Sequence, residues 1–447
     1  MYQLKIPFVL FLVLSFPFIT YSQVVWTDPV FPKLGDEVTV YFDASQGTGE
    51  LAGCNCDVYV HTGLITSEST SPGDWKNVQT SWAPTVNDDW KLTPVPGEED
   101  LYSYVIGPDI ETYYNVLGGQ EVESMAFVFR NADGSKTGKA VGGLDIFYPV
   151  YPDDLPFTAV FITPGSSQVL VPEGATITIR AASSETADLS LYDNGDLIGS
   201  TNGTLLEVDV TGDMPGTREL ELVADNGLEI ISVNVSYVIP NANLPQLDPP
   251  AGTELGANFL GDTSMILALY APDKEFVFAY GSFSDWALLS DYQMRLATDG
   301  GTWWVQIDEL EPGETYMYQY LVDGQLKIAD PYSTLILDPN SDDAIPEETY
   351  PDMPDYPFDQ TSGFVSVVVP GEAEYPWQIT AFEAPAKERL TVYELLVRDF
   401  IARHDYTTLI DTLDYLEKLG VNAIELMPVQ EFENNNSWGY NPSFHMA

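Results

Sequence analysis

The sequence predicts a multidomain, mainly β chain, with three β-sandwich modules of the immunoglobulin-like kind followed by a strand–helix–strand unit. Three observations carry this. Short apolar runs recur between turn residues, and 32 prolines and 34 glycines punctuate them, the pattern of many short strands. Two turns are Asn-Gly pairs, Asn194-Gly195 and Asn226-Gly227, whose tolerance of positive φ makes tight hairpins. After Arg389 the alternation gives way to an apolar run, a helical periodicity and a second apolar run. At 447 residues the chain exceeds one domain, and 45% hydrophobic residues can fill several cores.

The first 22 residues predict a secretory signal peptide: Lys5, an apolar run over 6–19, then Thr20-Tyr21-Ser22-Gln23, with cleavage after Ser22. The run is shorter than the ~20 residues a spanning helix needs, so no membrane span is expected. The protein is therefore expected outside the cytoplasm. Its 17 basic and 68 acidic residues give a net charge of −51, which repels phosphate backbones and excludes nucleic acid as a partner. Such acidity keeps a secreted protein soluble. Its carboxylates show no EF-hand spacing, so a metal site is left unassigned.

Residues 23–152 predict the first sandwich, with strands at Val38–Phe42, Asp57–Val60 and Ala126–Phe129 and a turn at Asp133-Gly134. The module is rich in Trp and Tyr (Trp75, Trp82, Trp90, Tyr102, Tyr113, Tyr114). Exposed rings of this kind stack on the C–H faces of sugars, whereas buried ones fill a core. Core is the expectation for any single ring, and starch binding is a second reading for the module. Cys54 and Cys56 are too few for a zinc site. Alternating strand side chains would point them apart, so free or locally oxidised thiols are expected.

Residues 157–239 predict an immunoglobulin-like spacer with few aromatics. Proline-rich residues 241–250 read as a linker, 255–340 as a third sandwich, and 341–389 as a wrapping connector that contains one strand, 363–369. From 390 the run to Val397 predicts a strand buried on both faces. Asp405 or Thr407 can cap a helix whose Leu409, Leu413, Leu416 and Leu419 share a face, and Gly420 ends it. Residues 421–427 predict a parallel second strand.

Two resemblances sharpen this reading. The third module's Gly281-Ser282-Phe283-Ser284-Asp285-Trp286, Trp303-Trp304, Val322-Asp323-Gly324 and Asp330-Pro331-Tyr332-Ser333 resemble the glycogen-binding, isoamylase-N-terminal (CBM48-like) sandwiches of the E-set type. Trp286 matches a sugar-binding ring of that family. Where glucan-binding members carry a second Trp, this chain has Gln325-Leu326, so a packing role for the module is favoured. Residues 392–400, 419–432 and Trp438-Gly439-Tyr440-Asn441-Pro442 resemble, in order and spacing, the first two strands and following loop of the α-amylase superfamily, glycoside hydrolase family 13.

The second resemblance implies the start of a (β/α)8 barrel. It also implies retaining hydrolysis of α-glucans such as starch, glycogen or pullulan by two carboxyl groups ~5–5.5 Å apart. Tyr440 would stack under the sugar at the cleavage point, with Trp438 and Asn441 beside it. Glu394 and Glu425 lie within strands and are expected to be hydrogen-bonded structural groups. The nucleophile, acid and stabilising Asp would follow later strands, beyond Ala447. Catalytic residues are therefore assigned to none of these positions, and the chain is expected to be an inactive N-terminal fragment. Calcium is allowed in a complete enzyme. The competing reading is a non-catalytic secreted or surface starch-binding protein.

Overall fold

The computed structural model describes residues 24–140, 143–165, 167–358, 360–373, 375–432 and 437–447. The expected signal peptide lies outside them. Two compact units divide the chain at Leu155. Among the described residues no helix is long and apolar enough to cross a membrane.

The N-terminal unit is a two-sheet sandwich. Strands β1 (Val25–Asp28), β2 (Val38–Asp43), β4 (Thr93–Pro94) and β5 (Leu101–Ile106) form one sheet in the order β1-β2-β5-β4. Strands β3 (Tyr59–Thr66), β6 (Val122–Arg130), β7 (Thr137–Gly138) and β8 (Ile146–Pro149) form the other, and all its pairings are antiparallel. Alternation along β2 buries Val38, Val40 and Phe42. Phe42 stacks on Phe129 of the second sheet with centroids 3.9 Å apart, so the core closes between the two sheets. Helix α1 (Ile110–Tyr114) is capped by Asp109, whose carboxylate accepts the Thr112 N–H at 2.6 Å. Cys54 and Cys56 are disulfide-bonded, the locally oxidised of the two states expected. They sit in a turn rather than on a strand, so their side chains do not alternate.

The second unit begins with β9 (Ala159–Thr163), β10 (Val169–Leu170), β11 (Thr176–Asp193), β12 (Asp196–Thr211), β13 (Gly216–Asp225) and β14 (Ile230–Ile239). Two strands expected to be separate, around 175–180 and 189–192, are one bent strand, β11. An irregularity between Ala182 and Ala187 lets its first half pair with β9 and its second half with β13. Both Asn-Gly turns are hairpins as expected, with Asn194 at φ 48° and Gly195 at 86°.

The following sandwich has β15 (Gly256–Phe259), β16 (Met265–Tyr270), β18 (Arg295–Leu296) and β19 (Thr302–Ile307) in one sheet. Strands β17 (Val277–Gly281), β20 (Tyr316–Val322), β21 (Leu326–Ile328), β22 (Ile336–Leu337) and β23 (Val365–Val368) form the other. Thus the strand expected inside a connector is an integral member, paired with both β20 and β22. The expected linker is also docked. Trp304 Nε1 donates to the Leu247 carbonyl at 2.6 Å, and Asp248 accepts from the Thr298 hydroxyl at 2.7 Å.

The chain ends with β24 (Val392–Leu395), α2 (Val397–Phe400), α3 (Tyr406–Asp411), α4 (Leu413–Lys418) and β25 (Ala423–Leu426). Strands β24 and β25 pair in parallel from Val392↔Ala423 to Leu395↔Leu426, as the sequence predicts. Asp405 caps α3, accepting the Thr408 N–H at 2.6 Å. The expected single helix breaks at Thr412, whose hydroxyl bonds the Leu409 carbonyl at 2.7 Å and competes with the helical ladder. Gly420, at φ 84°, donates to Glu417, and Val421 N–H reaches back to Leu416, the Schellman arrangement. One expectation fails. Strand β24 is exposed except for Leu395, and it stops before Val397, which opens a helical turn. Only Leu395, Leu409 and Leu416 are buried in this segment's cluster, because the described residues place no second layer over the strands.

Candidate functional site

Three places hold the residues that the sequence singles out. The first is the loop after β25. Phe432 bridges to Pro442 and closes it, while the Ser437 hydroxyl bonds the Asn441 side chain and accepts the Gly439 N–H at 3.0 Å. Gly439 has φ 87°, and a Cβ there would run into the Pro428 carbonyl, so glycine is required. The tight turn projects Trp438 and Tyr440 outward, each 65% exposed. They are presented on one loop together with Asn441. Glu394 and Glu425 face each other across the parallel ladder, and both are exposed rather than buried as expected.

The second is Trp286, which the structure turns inward. Its ring is only 6% exposed and lies edge-on to Tyr280 at 6.0 Å, among Leu288, Leu337 and Val365. Val238 from β14 joins the same cluster, so the preceding module packs here. Trp286, a candidate sugar-binding ring by resemblance, is therefore core, because the positive φ of Asp285 and Trp286 curls the motif back onto β17.

The third is a cleft of about 380 Å³ in the N-terminal unit, lined by His61, Trp75, Val78, Trp82, Lys139 and Asp145 among others. Trp90, Tyr102 and Tyr113 pack against that unit's core and Tyr114 is wholly buried, whereas Trp75 and Trp82 line the cleft. His61 comes from β3. Its ring stacks on Trp75 at 5.4 Å and 24°, and meets Trp82 edge-on at 5.3 Å and 76°. Its Nδ1 is 3.0 Å from the Thr80 hydroxyl. Burial, aided by the Arg130 charge, lowers the His61 pKa below its usual 6.5 and keeps the ring neutral at neutral pH.

Arg130 holds the loop that carries Trp82. Its guanidinium donates to the carbonyls of Ser81 at 3.0 Å and Thr85 at 2.6 Å, and lies 5.7 Å from the Trp82 ring centre. Trp75 is tied by its own indole N–H to the Pro72 carbonyl at 3.1 Å. The two carboxylates nearby are paired. Asp74 accepts from Lys76 at 2.9 Å, which with the Thr70 bonds holds its pKa at about 2. Asp145 pairs with Lys139 at 3.0 Å. Sequence reasoning named both indoles but missed His61 and Arg130. Their available signal was a polar residue directly following each of two apolar runs, 58–60 and 125–129.

Among the described residues no cluster of three or more His, Cys, Asp or Glu is arranged to hold a metal ion. No family model matches the chain. Sequence relatives include malto-oligosyltrehalose trehalohydrolase of Saccharolobus solfataricus, 27% identical over 149 residues, which are 33% of this chain and 22% of that protein. A 1,4-alpha-glucan branching enzyme of Photobacterium profundum is 29% identical over 186 residues, 39% of this chain and 23% of the relative. Among solved structures, a pullulanase of group B Streptococcus in complex with maltotetraose has a TM-score of 0.33 at 17% identity, covering 66% of this chain and 40% of its own. A putative α-amylase of Salmonella typhimurium has a TM-score of 0.32 at 23% identity, covering 42% of this chain and 27% of its own. The chain spans about a quarter of the length of the curated relatives it matches. The chain is thus similar, over a third to nearly half of its length, to trehalohydrolases and branching enzymes that act on α-glucans by name, and its β-sheets lead into a parallel βαβ unit.

Proposed function

We propose that this chain is the N-terminal part of a secreted, retaining α-glucan hydrolase of amylase or debranching type, whose catalytic carboxylates follow Ala447. The observation that carries the reading is the parallel pairing of β24 with β25 through a capped helix, followed by a loop that presents Tyr440. Parallel strands joined by a helical crossover are the repeat of a (β/α)8 barrel, and functional residues of that fold sit on the loops at the strands' C-terminal ends. Tyr440 lies on such a loop. Its exposed ring offers a face to a sugar and a π-system to the positive charge that develops as the glycosidic bond breaks. Trp438 flanks that face, and Asn441 braces the loop through Ser437.

The exposed apolar residues Val392, Ile424 and Leu426 fit the reading, since further strands and helices would cover them. The deciding test is to read the gene past codon 447, express its whole product and follow by proton NMR the anomer released from maltoheptaose and from a maltodextrin with α-1,6 branches. The expected outcome is initial release of the α-anomer. A native stop after Ala447 would remove the hydrolase reading. The exposed Trp82 and half-buried Trp75 that line the N-terminal cleft support a second reading, a starch-binding protein without catalysis, which the same stop would favour.

A further inference from the structure

We propose that the cleft between Trp75 and Trp82 binds a curved, neutral α-glucan chain, with the two indoles as platforms for successive sugars and His61 as the polar group between them. The sugar's identity rests on the α-glucan reading above, whereas the existence of a site rests on the cleft's own geometry.

The first argument is shape. His61 is inclined 24° to Trp75 and 76° to Trp82, so the difference leaves the indoles at least 52° apart in orientation. A flat β-linked ribbon needs nearly coplanar platforms. An α-1,4-linked chain curves, and successive sugars turn their faces through a large angle. Inclined indoles suit the curved chain.

The second argument is preorganisation. Trp82 is 44% exposed, yet its loop is clamped by two hydrogen bonds from Arg130, while Trp75 is backed by His61 and held by its bond to Pro72. Rings fixed before binding lose little freedom when the ligand arrives. A purely structural use of these side chains would bury the indoles as it buries Tyr114, and here they line a cleft of about 380 Å³ instead.

The third argument is charge. Lys139 neutralises Asp145, Lys76 neutralises Asp74, and the buried Arg130 guanidinium is turned onto the Ser81 and Thr85 carbonyls, so the cations here are engaged within the protein rather than aimed at an anionic ligand. Paired carboxylates and ammonium groups at the rim remain able to bond sugar hydroxyls. His61 has Nδ1 engaged by Thr80, which leaves its other ring nitrogen for a hydroxyl.

The test is affinity electrophoresis of the full chain in gels containing amylopectin, cellulose derivative or xylan, with titration of maltoheptaose followed by tryptophan fluorescence. Amylopectin is expected to retard the protein selectively. Trp75→Ala and Trp82→Ala are each expected to weaken maltoheptaose binding about tenfold, the effect of losing one stacked ring. Trp75→Phe should retain most of the affinity, and Trp377→Ala, on an exposed segment elsewhere, should leave it unchanged. Near-UV circular dichroism verifies folding, and if Trp82→Ala unfolds, Trp75→Ala decides alone. Retardation that survives both alanine substitutions would overturn the cleft while leaving α-glucan recognition standing. Equal retardation by cellulose or xylan would overturn the sugar assignment. No retardation in any gel would overturn the site but not the hydrolase reading, which depends on the gene beyond codon 447.

Discussion

Strands β16 and β24 are written in the same apolar alphabet and meet opposite fates. In β16, Met265 to Leu269 are all buried, and only Tyr270 reaches solvent. In β24, only Leu395 is buried, while Val392 and Tyr393 are exposed. The difference lies in their neighbours. β16 has β15 on one edge, β19 on the other and a facing sheet over its core side. β24 has β25 alone and a few helical turns. An apolar run specifies extended backbone, but its burial is supplied by distant segments.

If that contrast is right, truncation should hurt the two regions very unequally. Phe278→Ala, in the fully buried core of the β17 sheet, is expected to cost about 3–5 kcal/mol in urea unfolding. Ile424→Ala on β25 should stay within about 1 kcal/mol. A cost at Ile424 equal to that at Phe278 would mean the tail is packed in solution by something further. The next largest effect belongs to Asp330, wholly buried and accepting from the hydroxyls of Tyr318 and Tyr320 at 2.8 Å each. Asp330→Ala strands both phenols without an acceptor and should cost about 3 kcal/mol. Asp330→Asn, which keeps a carbonyl oxygen, should cost less. Equal losses would show that hydrogen bonding at this site is immaterial.

The same contrast explains what was legible in the sequence. Most strand positions before residue 340, both Asn-Gly hairpins, the Asp405 cap, the Gly420 stop and the parallel pairing follow from local rules, and the structure has them. What was missed is nonlocal. Val365–Val368 sits amid prolines and acids, and only its pairing with β20 makes it part of a sandwich. The segment 241–250 has linker composition, but Leu247 and Asp248 find partners on Trp304 and Thr298. Trp286 was legible as a motif, whereas its burial depends on Val238 of another module. The two cleft indoles were visible as residues. Their inclination to each other was not.

The tail's small cluster offers a sharper comparison. Leu416→Ala removes one of its three buried members and should cost about 2 kcal/mol, the low end for such a change, because so open a site can collapse. Hydrogen exchange should localise the loss. Amides of 392–426 are expected to exchange faster while those of β16, β19 and β20 stay protected. Uniform loss of protection would show that tail and sandwich unfold as one unit.

The smallest effect concerns how the tail meets the sandwich. Glu431 is half-buried, with Oε1 lacking a hydrogen-bond partner, and burial followed by the charges of Asp342 and Asp338 raises its pKa from 4.5 to about 7. Because the folded chain holds this proton more tightly than the unfolded chain, stability rises as pH falls through 7 toward 4.5 and levels off below it. Allowing for partial exposure, the gain is on the order of 1 kcal/mol. Asp342, whose pKa burial also raises, adds in the same direction at lower pH. Glu431→Gln removes the proton dependence of that residue, so its unfolding midpoint should lie above that of the wild type at pH 8 and converge with it near pH 5. The ring contact of Phe364 with Phe444 should persist in the variant, since no charge enters it. Parallel pH profiles for the two proteins would place the titrating group elsewhere, and would leave the sandwich rather than its junction with the tail as the source of any pH dependence.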